Sequence, residues 1–289
     1  MSQNSQLKKH RPTSPGTRAL EVVRYRKALT TGTPLKSLTR GRAARAGRNS
    51  AGRITTRHQG GGNKKKFRLI DFYYLDKVDV PGRVEHIEYD PFRGGFIARV
   101  LYRDGDRRYI LAPHGLAVGD TVLTSESAPL TKGNRLPLSK IPVGTFVYNI
   151  EIKERGGAKV ARGAGIFAEL VALDGAFAQI KMPSSEIRQI PSGAWASLGG
   201  VSNPEYRLRN FGKAGRSRHL GIRPTVRGTA MNPVDHPYGG GEGRQGRGRR
   251  RAVSMWGKPT GKGQKSRTPK KYSNVHIVSR RKVGKNRST

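Results

Sequence analysis

Hydrophobic and polar positions alternate through the middle of this chain and nowhere else for long. Phe67–Leu75 opens the pattern, and Gly82–Asp90 follows with Val84, Ile87 and Tyr89 in imperfect alternation. Phe96–Tyr102 then meets Tyr109–Leu111 across Asp104-Gly105, a hairpin-turn dipeptide. After a loop from Ser125 to Pro137, Thr145–Ile152 alternates cleanly. Ile166–Leu173 and Ala176–Met182 flank Asp174-Gly175, and Glu186–Ile190 and Ala194–Leu198 close the set. The expectation is a mainly β protein with two consecutive small antiparallel barrels, divided near Ser127–Asn134. One continuous ten-stranded sandwich is the alternative. Pro129, Gly133 and Pro137 in the loop favour the division.

Outside the middle the periodicity fades. Asn203 as cap, Pro204 at the first helical position, Glu205 at the positive end and Gly212 as stop predict a two-turn helix over Pro204–Phe211. Beyond Gly221 no regular period persists, and Val275–Val278 is the one late apolar stretch that offers a strand. A free chain of this Gly/Pro/Lys/Arg composition would be disordered.

Charge changes the picture. Residues 1–66 hold 17 basic residues against one acidic, a net +16. Residues 67–200 hold 17 against 15, and residues 201–289 hold 23 against 3, a net +20. A near-neutral middle can fold around its own core, whereas the flanks repel themselves and call for a polyanion. The flanks lack the apolar face an interfacial membrane helix would bury, so nucleic acid is the favoured partner over a membrane. With no cysteine in 289 residues, disulfides, thiolate metal sites and cysteine nucleophiles are excluded. No apolar run has signal-peptide or membrane-span length. Pro12, Pro15 and Gly16 spoil an amphipathic transit helix, which predicts a mature, intracellular N-terminus.

Two segments carry the chemistry. In the first, Arg53, Arg57, Lys64, Lys65, Lys66 and Arg68 supply cations for phosphate, with Thr55 and Thr56 hydroxyls and His58 beside them. Gly60, Gly61 and Gly62 allow the main chain to approach a nucleic-acid backbone. A flexible solvated linker is the alternative, against which the ordered Thr-Thr, Arg-His and glycine punctuation argues. In the second, Arg207, Lys213, Arg216, Arg218, Arg223 and Arg227 lead into Met231, Asn232, His236 and Tyr238. Gly239, Gly240 and Gly241 follow, then the cluster Arg244, Arg247, Arg249, Arg250 and Arg251. Pro224, Pro233 and Pro237 stiffen this path and lower the entropy lost on ordering it. Met231, His236 and Tyr238 offer packing surfaces for sugar or base.

Catalysis and metal binding find little support. Asp235 and His236 could form a general-base pair, but no oriented nucleophile or pocket accompanies them. The histidines at 10, 58, 86, 114, 219, 236 and 276 show no ligand spacing, so no metal or other cofactor is predicted. Neither glycine triplet has the strand–loop–helix setting of a nucleotide-binding loop. The reading is therefore non-enzymatic, with no small-molecule substrate.

Gly52-Arg-Ile-Thr-Thr-Arg-His-Gln-Gly-Gly-Gly62 and Arg227-Gly-Thr-Ala-Met-Asn-Pro-Val-Asp-His-Pro-Tyr-Gly-Gly-Gly-Glu-Gly243 resemble the signatures of the universal large-subunit ribosomal protein L-two family, bacterial type. The similarity extends in order to Pro12–Gly16, Tyr148–Glu151, Gly212–Gly215 and Arg223–Arg227. It implies an oligonucleotide-binding-type barrel over 67–126 and a Src-homology-three-like barrel over 127–200. Basic extensions over 1–66 and 201–289 would thread into large-subunit rRNA near the peptidyl-transferase region. It further implies support of subunit association, tRNA binding and peptide-bond formation. The implied partners are large-subunit rRNA, neighbouring ribosomal proteins, and small-subunit rRNA and tRNA at the subunit interface, in a cytoplasmic or organellar ribosome. Two positions depart from the family pattern. Tyr238 stands where a second histidine is usual, keeping a ring and a hydroxyl, and Asn63 replaces a histidine after the first glycine triplet.

Overall fold

The computed structural model describes residues 7–244, 246–261 and 267–281. The chain divides into two compact units, the described parts of 1–43, 64–216 and 275–289 in the first and of 44–63 and 217–274 in the second.

The first unit is mainly β and holds two larger sheets, of four and seven strands, beside three two-stranded pairs among its described residues. In one, four antiparallel strands lie in the order Arg107–Leu111, Ile97–Tyr102, Gly82–Glu88, Thr121–Val122. Val84 faces Val100, and a register shift between Val84 and His86 accounts for the imperfect alternation there. The extra residue turns both Val84 and Ile87 to the core instead of alternate faces. Residues 70–78 link the sheet's two edges, because Ile70 bridges Tyr109 and Val78 bridges Thr124. That closure uses irregular chain, not the predicted strand through Leu75. The strand here is only Lys66–Arg68, paired with Thr39–Gly41. Asp71 then accepts hydrogen bonds from the Tyr73 and Tyr74 amides at 2.8 and 3.0 Å and turns the chain.

Part of the basic N-terminal segment folds into this unit. Leu7–Lys9 pairs with Glu21–Val23, and Leu20 and Val23 are buried. Leu7, Val23, Tyr25 and Leu29 join the core formed by Val84, Val100, Tyr102 and Ile110. Apolar residues dispersed among cations were enough to anchor it. Each fully buried side chain of this size contributes about 1.5–3 kcal/mol.

The second sheet has seven strands in the order Ile277–Ser279, Ile187–Pro191, Phe177–Lys181, Ala168–Asp174, Phe146–Tyr148, Trp195–Leu198, Arg135–Pro137. Leu136, Leu138, Val147, Leu170, Ile180 and Ile190 form its core. The late apolar stretch adds its edge strand. Thr145–Ile152 is broken at Asn149, which has φ +52°, so Ile150–Glu151 leaves to pair with Ala158–Val160. The expected inter-barrel loop contains the strand Arg135–Pro137. Arg135 is buried and bound to Glu151 at 2.9 Å and to the Asn149 carbonyl at 2.7 Å. The two sheets meet where the Tyr148 hydroxyl donates to the Leu111 carbonyl at 3.1 Å and the Ser202 amide to Ala112 at 3.0 Å.

The predicted two-turn helix is a shorter 3-10 helix, Pro204–Leu208. Asn203 does not cap it. Its backbone is left-handed at φ +61°, and its amide side chain donates to the Gly94 carbonyl at 2.7 Å. That tertiary bond uses the amide nitrogen and turns the side chain away from the helix, so Oδ1, the atom a cap would use, meets none of the helix's amides.

The second unit has a different physical basis. Among its described residues no hydrophobic side chain is buried. It holds 18 basic residues against Asp235 and Glu242. No described helix in the chain is long and apolar enough to cross a membrane.

Candidate nucleic-acid interface

Backbone hydrogen bonds, not a core, order the second unit. The Gly60 amide donates to the Gly221 carbonyl at 2.8 Å, Asn63 to His219 at 2.9 Å and Arg223 to His58 at 3.0 Å. This ladder brings the two chemistry-bearing segments together, although about 160 residues separate them in sequence. At Gly62 a Cβ would lie 2.8 Å from the Gly221 nitrogen, so the contact admits no side chain. Nearby, the Gly47 carbonyl accepts from the Thr55 and Thr56 amides, both at 3.0 Å, and from the Thr55 hydroxyl at 3.4 Å. The Thr55 hydroxyl is thus already engaged. Arg53, Arg57, Arg223 and Arg227 stay exposed.

The loop after Arg227 is closed on itself. Gly240 donates to Met231 at 3.0 Å, and Asp235 and His236 donate to Asn232 at 3.0 and 3.3 Å. A Cβ at Gly239 would fall 2.1 Å from the Asn232 oxygen, so the turn closes only around glycine. His236 Nδ1 accepts the Tyr238 amide at 3.1 Å, and the two rings sit 4.8 Å apart. A neutral His236 ring then carries its proton on Nε2, and the ring packs over Gly228, where a Cβ would lie 2.6 Å from Nε2. Neither ring nitrogen is left as a base without breaking that bond. No hydrogen bond or ion pair among the described residues joins Asp235 to the His236 ring. The Tyr238 hydroxyl accepts the Val253 amide at 2.5 Å and keeps its own proton to donate. Arg244, Arg247, Arg249, Arg250 and Arg251 are all exposed.

The first unit carries further candidates. Lys64, Lys66, Arg207 and Lys213 are exposed, and Lys65 and Arg216 half-buried. Arg216 lies on the helix Ala214–His219, whose half-buried Arg218 belongs to the second unit. Arg68 stands apart: it is buried, and its Nη1 donates to the Lys66 carbonyl at 2.8 Å. That guanidinium orders the chain and is not presented to a ligand.

Sequence reading missed the cation–aromatic pairs of this unit. Phe72 lies between Arg93 and Arg162, at 5.5 and 4.5 Å. Arg209 lies 3.6 Å from the Tyr206 ring and 4.8 Å from Phe211. Burial, and then the charge of Arg93, pull Arg162 below its ordinary value. Arg162 has no ion pair among the described residues, so a phosphate nearby would relieve it. For Tyr206, Arg209 and Phe211 the available signal was the close interleaving of Arg with aromatic residues; Phe72, Arg93 and Arg162 are too far apart in sequence to give one. A cleft of about 630 Å³ in the same unit is lined by Tyr73, Glu126, Arg135, Glu151, Glu154 and Trp195, none of them a candidate. No group of three or more potential metal ligands occurs among the described residues.

Comparison with known proteins gives a consistent pattern. Residues 35–124 match the family model described as Ribosomal Proteins L2, RNA binding N-terminal domain, and residues 131–257 match Ribosomal Proteins L2, C-terminal domain. The chain is 50% identical over 279 residues to a Roseobacter denitrificans protein named large ribosomal subunit protein uL2. That alignment covers 96% of this chain and 98% of the relative. A protein of the same name from Dinoroseobacter shibae gives the same identity and coverage. One from Hyphomonas neptunium is 51% identical over 275 residues, 95% of this chain and 98% of its own length.

Proposed function

Because this chain belongs to the ribosomal protein L2 family, we propose that it is a structural, rRNA-binding constituent of the large ribosomal subunit. The observation that carries the reading is the second unit: 18 cations against two carboxylates, ordered by backbone bonds with no buried apolar side chain among its described residues. Such a unit gains too little from burial to offset its self-repulsion, and phosphate supplies the missing counter-charge. In this reading the folded bodies are centred on 67–126 and 127–200, and 1–66 and 201–289 are the rRNA-binding extensions, apart from the stretches at 7–29 and 277–279 that pack onto those bodies. The candidate cations of both segments, the buried Arg68 excepted, neutralise phosphates, while the glycine loops let the main chain approach the RNA backbone.

The finer role follows from the same reading. The loop around His236 and Gly239–Gly241 lies against rRNA near the peptidyl-transferase region and supports subunit association, tRNA binding and peptide-bond formation. It does so by shape, without a catalytic residue of its own. Neighbouring ribosomal proteins, small-subunit rRNA and tRNA complete the partners, in cytoplasmic ribosomes. Crosslinking of the full chain in cells tests the assignment. Crosslinks should concentrate on large-subunit rRNA, and reads scattered over DNA would overturn it. For the loop, His236→Gln should lower subunit yield and peptide transfer in parallel. A loss of single-turnover transfer in normally assembled subunits would instead make His236 a participant in the chemistry.

A further inference from the structure

Trp256 is one of two tryptophans in the chain and is 70% exposed. It sits at the tip of a short hairpin. Val253 bridges Pro259, Ser254 donates to Lys258 at 2.8 Å, and Gly257 donates to Ser254 at 3.0 Å. The Val253 amide also donates to the Tyr238 hydroxyl, which fixes the hairpin to the glycine loop. The backbone presenting the indole is therefore held in place. The Arg57 guanidinium lies 5.4 Å from the Trp256 ring centroid. An indole left in water serves no core, and this unit buries no hydrophobic side chain among its described residues.

We propose that Trp256 is a stacking platform for an unpaired nucleobase, with Arg57 placed to take a phosphate beside it. This deepens the rRNA-binding reading and rests on it. A flat π face next to a guanidinium suits a base, because every base has a stacking face and the flanking phosphate is anionic. The sequence around the hairpin, Arg249, Arg250, Arg251 and Lys258, is cationic, with no carboxylate between Glu242 and the hairpin. An apolar protein partner would need a continuous apolar patch, and the exposed neighbours in sequence are Arg251, Gly257, Lys258, Pro259 and Thr260.

The test uses the full chain and protein-free large-subunit rRNA. Wild type should lose, on binding, a tryptophan fluorescence component that Trp256→Phe lacks. Trp256→Ala should bind about 5- to 150-fold more weakly, with Trp256→Phe within about threefold of wild type. The slope of log affinity against log salt should be unchanged in Trp256→Ala, because stacking releases no counterion. Arg57→Gln should flatten it by roughly 0.7–0.9. Wild-type affinity in Trp256→Ala, or a wild-type chain that binds with no quenching of the Trp256 component, would overturn the stacking site and leave rRNA binding standing. A flattened slope in Trp256→Ala would reduce the indole to a brace for Arg57 and overturn it equally. Quenching that appears only when other ribosomal proteins are added would assign the face to protein. If the wild-type chain fails to retain the rRNA at all, the rRNA-binding reading falls and the stacking site with it.

Discussion

At the scale of single residues, the hydrogen bonding around His236 decides between chemistry and structure. Its Nδ1 is occupied by the Tyr238 amide, so the ring positions a turn and offers an Nε2 donor. Gly239→Ala should be as damaging as His236→Ala, since its Cβ would collide with the Asn232 carbonyl. Both should appear as reduced incorporation into large subunits in cells. Normal incorporation of Gly239→Ala would show that this turn is not needed. A second cluster sets acid sensitivity. Hydrogen bonds from Arg108 hold the carboxyls of Asp76 and Asp106 below the ordinary range, and one from Lys77 does the same for Asp104. Groups depressed in this way stabilise the fold above the unfolded value of about 4, and that contribution is lost as pH falls through the depressed values. Thermal unfolding should therefore show a Tm gap between wild type and Arg108→Gln at pH 6 that closes toward pH 3. A gap independent of pH would exclude the network as its cause. The three carboxylates are 43–63% exposed, so solvent screens them and the gap should be small.

At the scale of elements, the Arg135–Glu151 pair pins the strand Arg135–Pro137 to the break at Asn149. Both side chains are buried, so Glu151→Gln, which leaves a guanidinium unpaired, should cost about 3–5 kcal/mol in urea unfolding. Arg135→Met with Glu151→Leu should recover most of it, and a double variant as unstable as the single one would contradict the pairing. This pair also shows where sequence reading stopped. Apolar alternation located most strands of both sheets, because burial on one face writes a period of two. It passed over Arg135–Pro137, because a buried arginine reads as a loop residue. It ran Thr145–Ile152 as one strand, because the one local sign of a break, an asparagine tolerant of positive φ at 149, is weak against clean alternation. Asn203 and Pro204 read as a helix start, yet the Asn203 side chain is committed to Gly94, 109 residues away in sequence. In the candidate interface the residue types were legible. The ladder from His58–Asn63 to His219–Arg223 was not, since main-chain bonds between glycine-rich segments leave no side-chain pattern.

At the scale of the whole molecule, the uneven charge has two different structural meanings. The N-terminal basic segment is partly a folded element, with Leu20 and Val23 buried, whereas residues 44–63 join 217–274 in a coreless cationic unit. Truncation to 67–200 would strip Leu7, Val23, Tyr25 and Leu29 from the first core, so phosphate binding is best probed by substitutions in the full chain. The most direct measurement is the salt dependence of binding to large-subunit rRNA, for wild type and for a chain with Arg223, Arg227, Arg244, Arg247, Arg249 and Arg251 all changed to Gln. Each lost phosphate contact removes roughly 0.7–0.9 from the slope of log affinity against log salt, so the slope should flatten by roughly 4 to 5. An unchanged slope would contradict the claim that this coreless unit holds the protein to RNA.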